Sequence, residues 1–348
     1  MTRKNILIFI LNIISLKKSK EGIVFQTNYE CEKLIKYYTQ QKYDSQEYCN
    51  TNFQNPNSKC NEVNHRNKII NVCKNDILKW YKKMTNSIFD FENPKTFNEK
   101  MQWMKLYDND PLKTQLSDKY LVREWVKEKI GEKYLIPLYG VWNSFDEINF
   151  NLLPQQFVLK TNHGCGYNII VKNKTELNIE EAKNKINKWL NTNYAFNSGF
   201  EFQYLYIKPK IIAEKYLENF DGEIYDYKVF CFNGKAESIM FLNDRQRHLK
   251  MSFYDLNWNK LNYVYSYPLN KDIFPRPKNL NLLIELAEKL AADFPHVRVD
   301  FYILNDSTIK FGEMTFSSLS GTCKWNPPEQ DRIFGDLIKL PKKKLYPI

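Results

Sequence analysis

The sequence predicts an α+β protein, and three of its features favour that class. Segment 158–172 reads as two apolar strands around a turn that contains glycine. Segment 224–242 reads as a β-hairpin, because Asn233-Gly234 is a strong signal for a two-residue turn. An amphipathic helix is predicted within 281–294, where apolar residues recur at helical spacing. Hairpins with interspersed helices are typical of α+β enzymes.

Length and charge limit the possible functions. The 348 residues are enough for roughly two domains of about 150 residues each. The formal net charge of +11 favours anionic partners such as nucleotides, nucleic acid, acidic glycans or an anionic membrane face. A bias in codon usage is the alternative explanation of the Lys- and Asn-rich composition. No basic run is interleaved with aromatic residues as in nucleic-acid-binding modules, so nucleic acid is not expected as a partner.

Residues 1–76 form a polar extension of unknown structure. It begins with MTRKNILIFILNII, a basic start followed by an apolar run that is short for a membrane span. This start is a possible signal or anchor, or a short buried or membrane-peripheral segment. We therefore expect a cytoplasmic protein, possibly membrane-associated, with the secretory pathway as the alternative. No later segment has the apolar length of a transmembrane helix.

The extension also contains four of the seven cysteines: Cys31, Cys49, Cys60 and Cys73. No CxxC pair occurs in the chain, so a zinc site or redox motif is not expected. The four are interpreted as unpaired thiols, or as two disulfides if the chain is secreted.

The pattern becomes that of a folded domain from about residue 77. Thr96 and Glu99 predict a capping box at the start of a helix. Ser117 is predicted to cap the next helix, and a further helix is predicted over roughly 179–191.

The hairpin of residues 296–315 brings two carboxylates together if its turn is centred on Asp306-Ser307. In that register the residue numbers of cross-strand partners add up to 613, so Asp300 lies opposite Glu313 on one face of the hairpin.

The same register pairs Arg298 with Thr315 on that face. A turn one residue longer would set Asp300 against Gly312 and move Glu313 to the other face. Opposed carboxylates repel each other unless a cation lies between them, and Mg²⁺ or Mn²⁺ suits such a pair. The alternative is two solvated carboxylates on an open face.

Segment 158–172 is a candidate site for a polyanion. Lys160 ends its first strand and is followed by His163, Gly164 and Gly166. The two glycines let backbone N–H groups approach phosphate oxygens closely, and the lysine adds a compensating charge. His163 is a candidate contact to phosphate or substrate. The alternatives are a lysine that extends into solvent and a histidine in a structural hydrogen bond; neither a Walker A motif nor a GxGxxG fingerprint is present.

Two further charged pairs lie on predicted strands. Asp226 and Lys228 share one face of their strand. Glu214 and Lys215 close another strand, where backbone groups can meet an adenine edge and a carboxylate can meet a ribose. Charged residues at strand ends are otherwise simply solvated.

Seven ordered motifs resemble the ATP-grasp superfamily, most closely its TupA-like branch, which is associated with teichuronopeptide and other cell-surface polysaccharide biosynthesis. The motifs are NPKTFNEKMQWMKLYD, SDKYLVREWV, FVLKTNHGCGYNIIVK, IIAEKYL, DYKVFCFNGK, VRVDFY and GEMTFSSLSG. The resemblance implies two α+β subdomains that grip ATP between antiparallel sheets. It divides residues 77–348 into a helical part (77–150), a glycine-loop subdomain (151–216) and a metal-binding subdomain (217–348).

The resemblance also implies how ATP is held. Lys119 and Lys160 would contact the phosphates, with Lys160 taking part in catalysis, and the loop Gly164–Gly166 would cover them. The segment Glu214–Leu217, with Lys215, matches the hinge that contacts adenine. Further candidate nucleotide contacts are Asp226 and Lys228.

Asp300 and Glu313 match the magnesium carboxylates of the superfamily, and Arg298 matches the catalytic arginine that stabilises an acyl-phosphate. Many ATP-grasp ligases have Glu-x-Asn at the metal site, whereas this chain has Glu313-Met314-Thr315. Thr315 is therefore the third candidate metal ligand.

The implied activity is an ATP-dependent carboxylate–amine ligase that forms an amide through an acyl-phosphate. Its implied partners are ATP with Mg²⁺ or Mn²⁺, an anionic glycan or uronate-type carboxylate, and an amino-group acceptor. Arg245, Arg247 and His248 are candidates for receiving the anionic substrate, or they form a solvated loop. The alternatives are another ATP- or sugar-dependent transferase, either kinase or glycosyltransferase-like, and a non-catalytic polyanion-binding protein.

Overall fold

The computed structural model describes four residues within 30–35 and the segments 57–197, 199–243, 249–265, 268–305 and 307–344. Only the backbone is described for residues 57–68. Its α-helices are α1 Asn57–Thr85, α2 Phe97–Tyr107, α3 Pro111–Ser117, α4 Val122–Lys129, α5 Ile179–Leu190, α6 Tyr194–Asn197, α7 Leu280–Ala291 and α8 Gln330–Leu337. Its strands are β1 Leu138–Trp142, β2 Phe157–Thr161, β3 Asn168–Val171, β4 Ile211–Lys215, β5 Asp226–Phe232, β6 Lys235–Asn243, β7 Lys250–Tyr254, β8 Lys260–Leu261, β9 Val264–Tyr265, β10 His296–Ile303, β11 Ile309–Thr315 and β12 Trp325–Asn326. This mixture confirms the predicted α+β class.

Helix α1 runs through the predicted boundary at residue 77. Ile70, Cys73 and Ile77 are buried in the main hydrophobic core, so this helix is packed on the rest of the chain. Cys73 is a free thiol, as predicted. The other three cysteines of the extension and the apolar start of the chain lie outside the described side chains. In the part of the chain that the structure describes, no helix is both long and apolar enough to cross a membrane.

Two predicted helix starts had different outcomes. The capping box at Thr96 is confirmed, because its hydroxyl accepts from Glu99 N–H and the Glu99 carboxylate accepts from Thr96 N–H. The predicted cap at Ser117 was wrong, since Ser117 ends α3. The Asp118 carboxylate accepts the backbone N–H groups of the following turn instead.

The first sheet is four-stranded and antiparallel, in the order β1-β4-β2-β3. Helix α5, predicted over 179–191, covers one face of it. Ala182 and Ile186 of the helix pack with Phe157 and Leu159 of β2 in one buried cluster.

The second sheet is six-stranded, in the order β11-β10-β5-β6-β7-β8. The Asn233-Gly234 turn between β5 and β6 is confirmed, and both residues have positive φ as a type I′ turn requires. Helix α7 packs on one face through Leu283, Leu286 and Leu290. The opposite face of the sheet carries the charged residues of β5 and β10.

The β10–β11 hairpin has the predicted pairing but not the predicted turn. Asp300 lies opposite Glu313 and Arg298 opposite Thr315. Nearer the tip, however, Phe301 pairs with Phe311, so the turn is one residue longer than the even turn that we expected. A β-bulge at residue 312 adds one unpaired residue and restores the register at the carboxylates.

Candidate active site

A cavity of about 830 Å³ lies between the two sheets, within the size range of small-molecule sites. Its apolar lining includes Val158, Ile170 and Leu217. Six cationic side chains outnumber four carboxylates in its wall, which favours an anionic ligand. The charged lining residues are Lys119, Arg123, Lys160, Lys172, Lys215, Lys228, Glu214, Glu223, Asp300 and Glu313.

The glycine loop between β2 and β3 forms one edge of the cavity. A Cβ atom at Gly164 would lie 2.7 Å from the Tyr167 ring, so this position leaves no room for a side chain. Gly166 lines the cavity with φ of +75°, a conformation that favours glycine. Lys119 lies in the turn before helix α4 and donates a hydrogen bond to the carbonyl of Gly164. This bond connects that turn to the glycine loop.

Lys160 is held by a carboxylate at the end of β4. Its Nζ donates to Glu214 Oε2 at 2.6 Å, and Arg123 Nη1 donates to the other oxygen at 3.3 Å. Arg123 also donates to the carbonyl of Ile136. One buried carboxylate therefore orients two cations of the cavity wall, which is a different role from the ribose contact predicted for Glu214.

The carboxylates of β10 and β11 are joined by an arginine. Arg298 donates through Nε to Asp300 Oδ1 at 2.7 Å and through Nη2 to Asp300 Oδ2 at 2.8 Å. The same Nη2 lies 3.3 Å from Glu313 Oε1 and 3.0 Å from Thr315 Oγ1. The cation that the opposed carboxylates require is therefore supplied by the protein itself.

The electrostatic surroundings keep Glu313 ionised. Burial alone would raise the pKa of this carboxyl, but Lys119, Lys228 and Arg298 together lower it to about 2. Glu313 therefore presents a full negative charge to the cavity at neutral pH.

Lys228 and Asp226 share a face, as predicted, but only one of them reaches the cavity. Lys228 donates to Asp300 Oδ2 and lines the cavity. Asp226 is fully buried behind it, with Oδ2 4.0 Å from Lys228 Nζ. The predicted nucleotide contact of Asp226 was wrong, because its side chain is buried and does not line the cavity.

His163 does not line the cavity. Its Nε2 lies 3.0 Å from the carbonyl oxygen of Trp189 at the end of α5, and the ring is buried. Burial lowers its pKa, so the imidazole is neutral. His163 has the structural role that was the alternative interpretation of the sequence.

Arg123 and Cys165 line the cavity but were missed in the sequence. Arg123 lies four residues after Lys119, and that spacing was the available signal. Cys165 lies between the two glycines of the loop, and no local pattern distinguishes it. The three candidates for substrate binding in segment 244–248 lie outside the described residues.

The oxygen atoms at the predicted metal site suit Mg²⁺ in kind but are not equally accessible. The Glu313 side chain is 30% exposed, with Oε2 3.9 Å from Lys119 Nζ. Both oxygens of Asp300 are bonded to Arg298 and Lys228, and its side chain is 2% exposed. Glu313 is therefore the accessible ligand, with Asp300 and Thr315 beside it. Within the described residues no three His, Cys, Asp or Glu side chains converge as a metal centre, so phosphate and water would complete the coordination.

Two antiparallel sheets that face each other across a cation-lined cavity, with a glycine loop on one and paired carboxylates on the other, define the ATP-grasp class. A model of the family described as TupA-like ATPgrasp matches residues 99–339. The chain belongs to this family, as the ordered motifs predicted, and is thereby classed with the ATP-grasp enzymes.

More distant similarities cover parts of other proteins. The chain is 30% identical over 131 residues to a glutamate–tRNA ligase of Thermodesulfovibrio yellowstonii, an alignment that spans 36% of this chain and only 27% of that protein. Among solved structures, N5-carboxyaminoimidazole synthetase from Staphylococcus aureus aligns with a TM-score of 0.36 and 13% identity, over 65% of this chain and 53% of that one. An L-amino acid ligase from Bacillus licheniformis aligns with a TM-score of 0.34 and 14% identity, over 57% and 42%. Similarity at this level does not extend to activity or substrate.

Proposed function

We propose that the protein is an ATP-dependent carboxylate–amine ligase that forms an amide through an acyl-phosphate. The observation that carries this proposal is the convergence of Lys119, Lys160, Lys228 and an ionised Glu313 on one cavity between two sheets. The excess of cations suits the negative charge of a nucleoside triphosphate, and the ionised carboxylate suits the metal ion that accompanies it.

The first step requires several negative oxygens to meet at one point. A substrate carboxylate attacks the γ-phosphate, its oxygen forms the new P–O bond, and ADP leaves. Lys119 and Lys160 compensate the phosphate charge, while Gly166 lets backbone N–H groups approach the phosphates. Mg²⁺, or Mn²⁺, would be held chiefly by Glu313 and would screen the phosphate oxygens.

Arg298 has a positioning role in this scheme. Its guanidinium is committed to Asp300, Glu313 and Thr315. It therefore fixes the carboxylates in place, whereas the sequence had predicted a direct contact with the acyl-phosphate. Lys215 and Leu217 line the cavity at the hinge and are the proposed adenine contacts.

The proposed substrates are a uronate-type carboxylate or anionic glycan and an amino-group acceptor, as in cell-surface polysaccharide biosynthesis. Support for this class comes from the family resemblance and from the net charge of +11. A cytoplasmic protein, possibly membrane-associated, is proposed because that is where ATP is available.

The test combines nucleotide binding with trapping of the intermediate. We expect ATP with Mg²⁺ to raise the melting temperature. We expect ATP, Mg²⁺ and glucuronate or galacturonate to give a hydroxamate when hydroxylamine is present, and mass spectrometry to find an amide when amino acids replace it. Asp300→Asn and Glu313→Gln should lower the yield of both products about 100-fold or more while the protein remains folded.

Each alternative gives a different result. A sugar kinase would release ADP and form a phosphorylated sugar that hydroxylamine does not trap. A polyanion-binding protein would show no thermal shift with ATP. Either result would overturn the ligase proposal.

A further inference from the structure

One cation of the cavity wall has no role in the scheme above. Arg123 lies in the first turn of α4, four residues after Lys119, and lines the cavity. Its side chain is 15% exposed and forms an ion pair with Glu214 at the end of β4. Glu214 also binds Lys160, so two cations share one carboxylate.

The four-stranded sheet places Glu214 beside Lys160. Val158 and Lys160 of β2 both line the cavity, since alternate residues of a strand project from the same face. Glu214 pairs with Val158 across β2 and β4, and its Oε2 accepts from Lys160 Nζ at 2.6 Å. The Glu214 side chain is only 9% exposed, so it must keep a partner, because an unpaired buried carboxylate is costly.

Arg123 binds the same carboxylate at its other oxygen. Its Nη1 donates to Glu214 Oε1 at 3.3 Å, and its Nη2 donates to the carbonyl of Ile136 at 2.9 Å. The second bond fixes the guanidinium between α4 and the segment before β1. Because both terminal nitrogens donate to protein oxygens, Arg123 is arranged to hold Glu214 rather than a ligand.

The charges of this cluster determine how much of Lys160 a ligand can use. Arg123, Lys160 and Glu214 together carry one net positive charge. Without Arg123, Lys160 and Glu214 would form a neutral pair. Release of Lys160 would then leave Glu214 with no hydrogen-bonded cation among the residues that the structure describes, and this penalty would oppose phosphate binding.

We propose that Arg123 is a positioning residue for ATP: it retains Glu214 and thereby frees Lys160 to donate to a phosphate group. This inference rests on the proposed function, in which Lys160 compensates the phosphate charge. Lysine has a flexible stem and a rotatable ammonium group, whereas the planar guanidinium keeps its two fixed hydrogen bonds. Lys160 is also the most exposed of the three side chains, at 21%. Arg123 therefore acts on the nucleotide through Lys160.

The experiment is a double-mutant cycle in the full-length protein. Wild type, Arg123→Met, Glu214→Gln and the double variant are compared by calorimetry with MgATP and with adenosine, which has no phosphate. The control is Lys127→Met, because Lys127 lies one turn further along α4 in an exposed pair with Glu132. Melting temperatures without ligand check that each variant is folded.

We expect Arg123→Met to raise the Kd of ATP about fivefold to tenfold, because Lys160 then remains bound to Glu214 in most molecules. In the Glu214→Gln background the same substitution should change this Kd less than about twofold, since no carboxylate competes for Lys160. The Kd of adenosine should stay the same in Arg123→Met, and Lys127→Met should match the wild type with both ligands.

Arg123→Lys is a second, more conservative variant. It keeps the positive charge but cannot donate to Glu214 and Ile136 with the same planar geometry. We expect the Kd of ATP to rise only about twofold to threefold in this variant.

Three results would overturn the role of Arg123 and leave the ligase proposal intact. The first is an unchanged Kd of ATP in both Arg123 variants. The second is an equal rise in the wild-type and Glu214→Gln backgrounds, which would indicate a direct contact between Arg123 and ATP. The third is an equal loss of affinity for adenosine, which would indicate a general disturbance of the cavity.

Hydroxamate formation by the wild type tests the ligase proposal separately. A wild type that binds ATP but forms no hydroxamate would overturn the ligase activity and leave the role of Arg123 in nucleotide binding. A wild type that does not bind ATP would overturn both.

Discussion

The two walls of the cavity hold their charges in opposite ways. On the four-stranded sheet, one carboxylate, Glu214, holds two cations, Lys160 and Arg123. On the six-stranded sheet, two cations, Arg298 and Lys228, hold the carboxylate Asp300. On the four-stranded sheet, therefore, cations are held in position by a carboxylate. On the six-stranded sheet, a carboxylate is held in position by cations.

The walls also differ in how firmly they are fixed. The Lys160 side chain is 21% exposed, and the adjacent loop contains glycines, so this wall can adjust to a ligand. Asp300, Arg298 and Lys228 are all buried and share hydrogen bonds. We infer that the six-stranded sheet sets the position of the reaction and the glycine-loop wall adapts to the nucleotide.

The largest expected effect is a loss of stability when Arg298 is removed from the six-stranded sheet. Arg298→Met leaves Asp300 and Glu313 without their shared partner, so the free energy of unfolding should fall by about 3–5 kcal/mol. Urea denaturation measures it. The matched control is Arg332→Met, because Arg332 forms an exposed pair with Asp336 and should cost less than about 1 kcal/mol. Equal losses in the two variants would contradict the distinction between the walls.

Glu313→Gln tests the accessible carboxylate of the same wall. The change removes one negative charge and keeps the shape, so turnover should fall about 100-fold or more while the melting temperature without ligand changes little. The Mg²⁺-dependent part of the thermal shift with ATP should disappear. Retained turnover would remove Glu313 from the metal site.

Substitution of a lysine on the four-stranded sheet should have a smaller effect than loss of Glu313, and it should act on the affinity for ATP. Lys160→Met should weaken ATP binding about tenfold, measured by calorimetry, because a charged hydrogen bond to phosphate is lost. Lys172 also lines the cavity, but its side chain is 49% exposed. Lys172→Met should therefore change the dissociation constant less than about threefold, and a reversed order would show that phosphate binds elsewhere in the cavity.

The effect that is smallest at neutral pH, and grows only on acidification, concerns one buried histidine in the six-stranded sheet. Burial lowers the pKa of His296 from 6.5 to about 3, although its Nδ1 lies 2.9 Å from the carbonyl oxygen of Cys231. The unfolded chain binds this proton near pH 6.5 and the folded chain does not, so stability should fall as the pH decreases from about 6.5 towards 3. His296→Gln should flatten that slope in urea titrations at successive pH values. A slope as steep as that of the wild type would exclude His296 as its source.

Local patterns were sufficient for the elements of the fold and for part of the site. Helix periodicity, the Thr96 capping box and the Asn233-Gly234 turn all depend on neighbouring residues, and the structure confirms them. The opposition of Asp300 and Glu313 was predicted from strand alternation, although the turn was wrong and a bulge compensated.

The remaining features depend on contacts between distant segments. The sequence gives no sign that Asp226 is buried away from the cavity or that His163 faces Trp189. Lys105 and Gly199 are bonded across 94 positions, so no spacing rule could pair them. A single sequence predicts which residues can carry charge, whereas the fold decides which of those charges neutralise one another.

The bulge at Gly312 means that the β10–β11 hairpin contains one residue more than its pairing needs. Deletion of Gly312 would leave all six observed cross-strand pairs in place and remove only the local bend. The pairing of Asp300 with Glu313 is therefore compatible with a hairpin that is one residue shorter. The length of this hairpin can thus change by one residue without replacing a charged residue of the site or separating its two carboxylates.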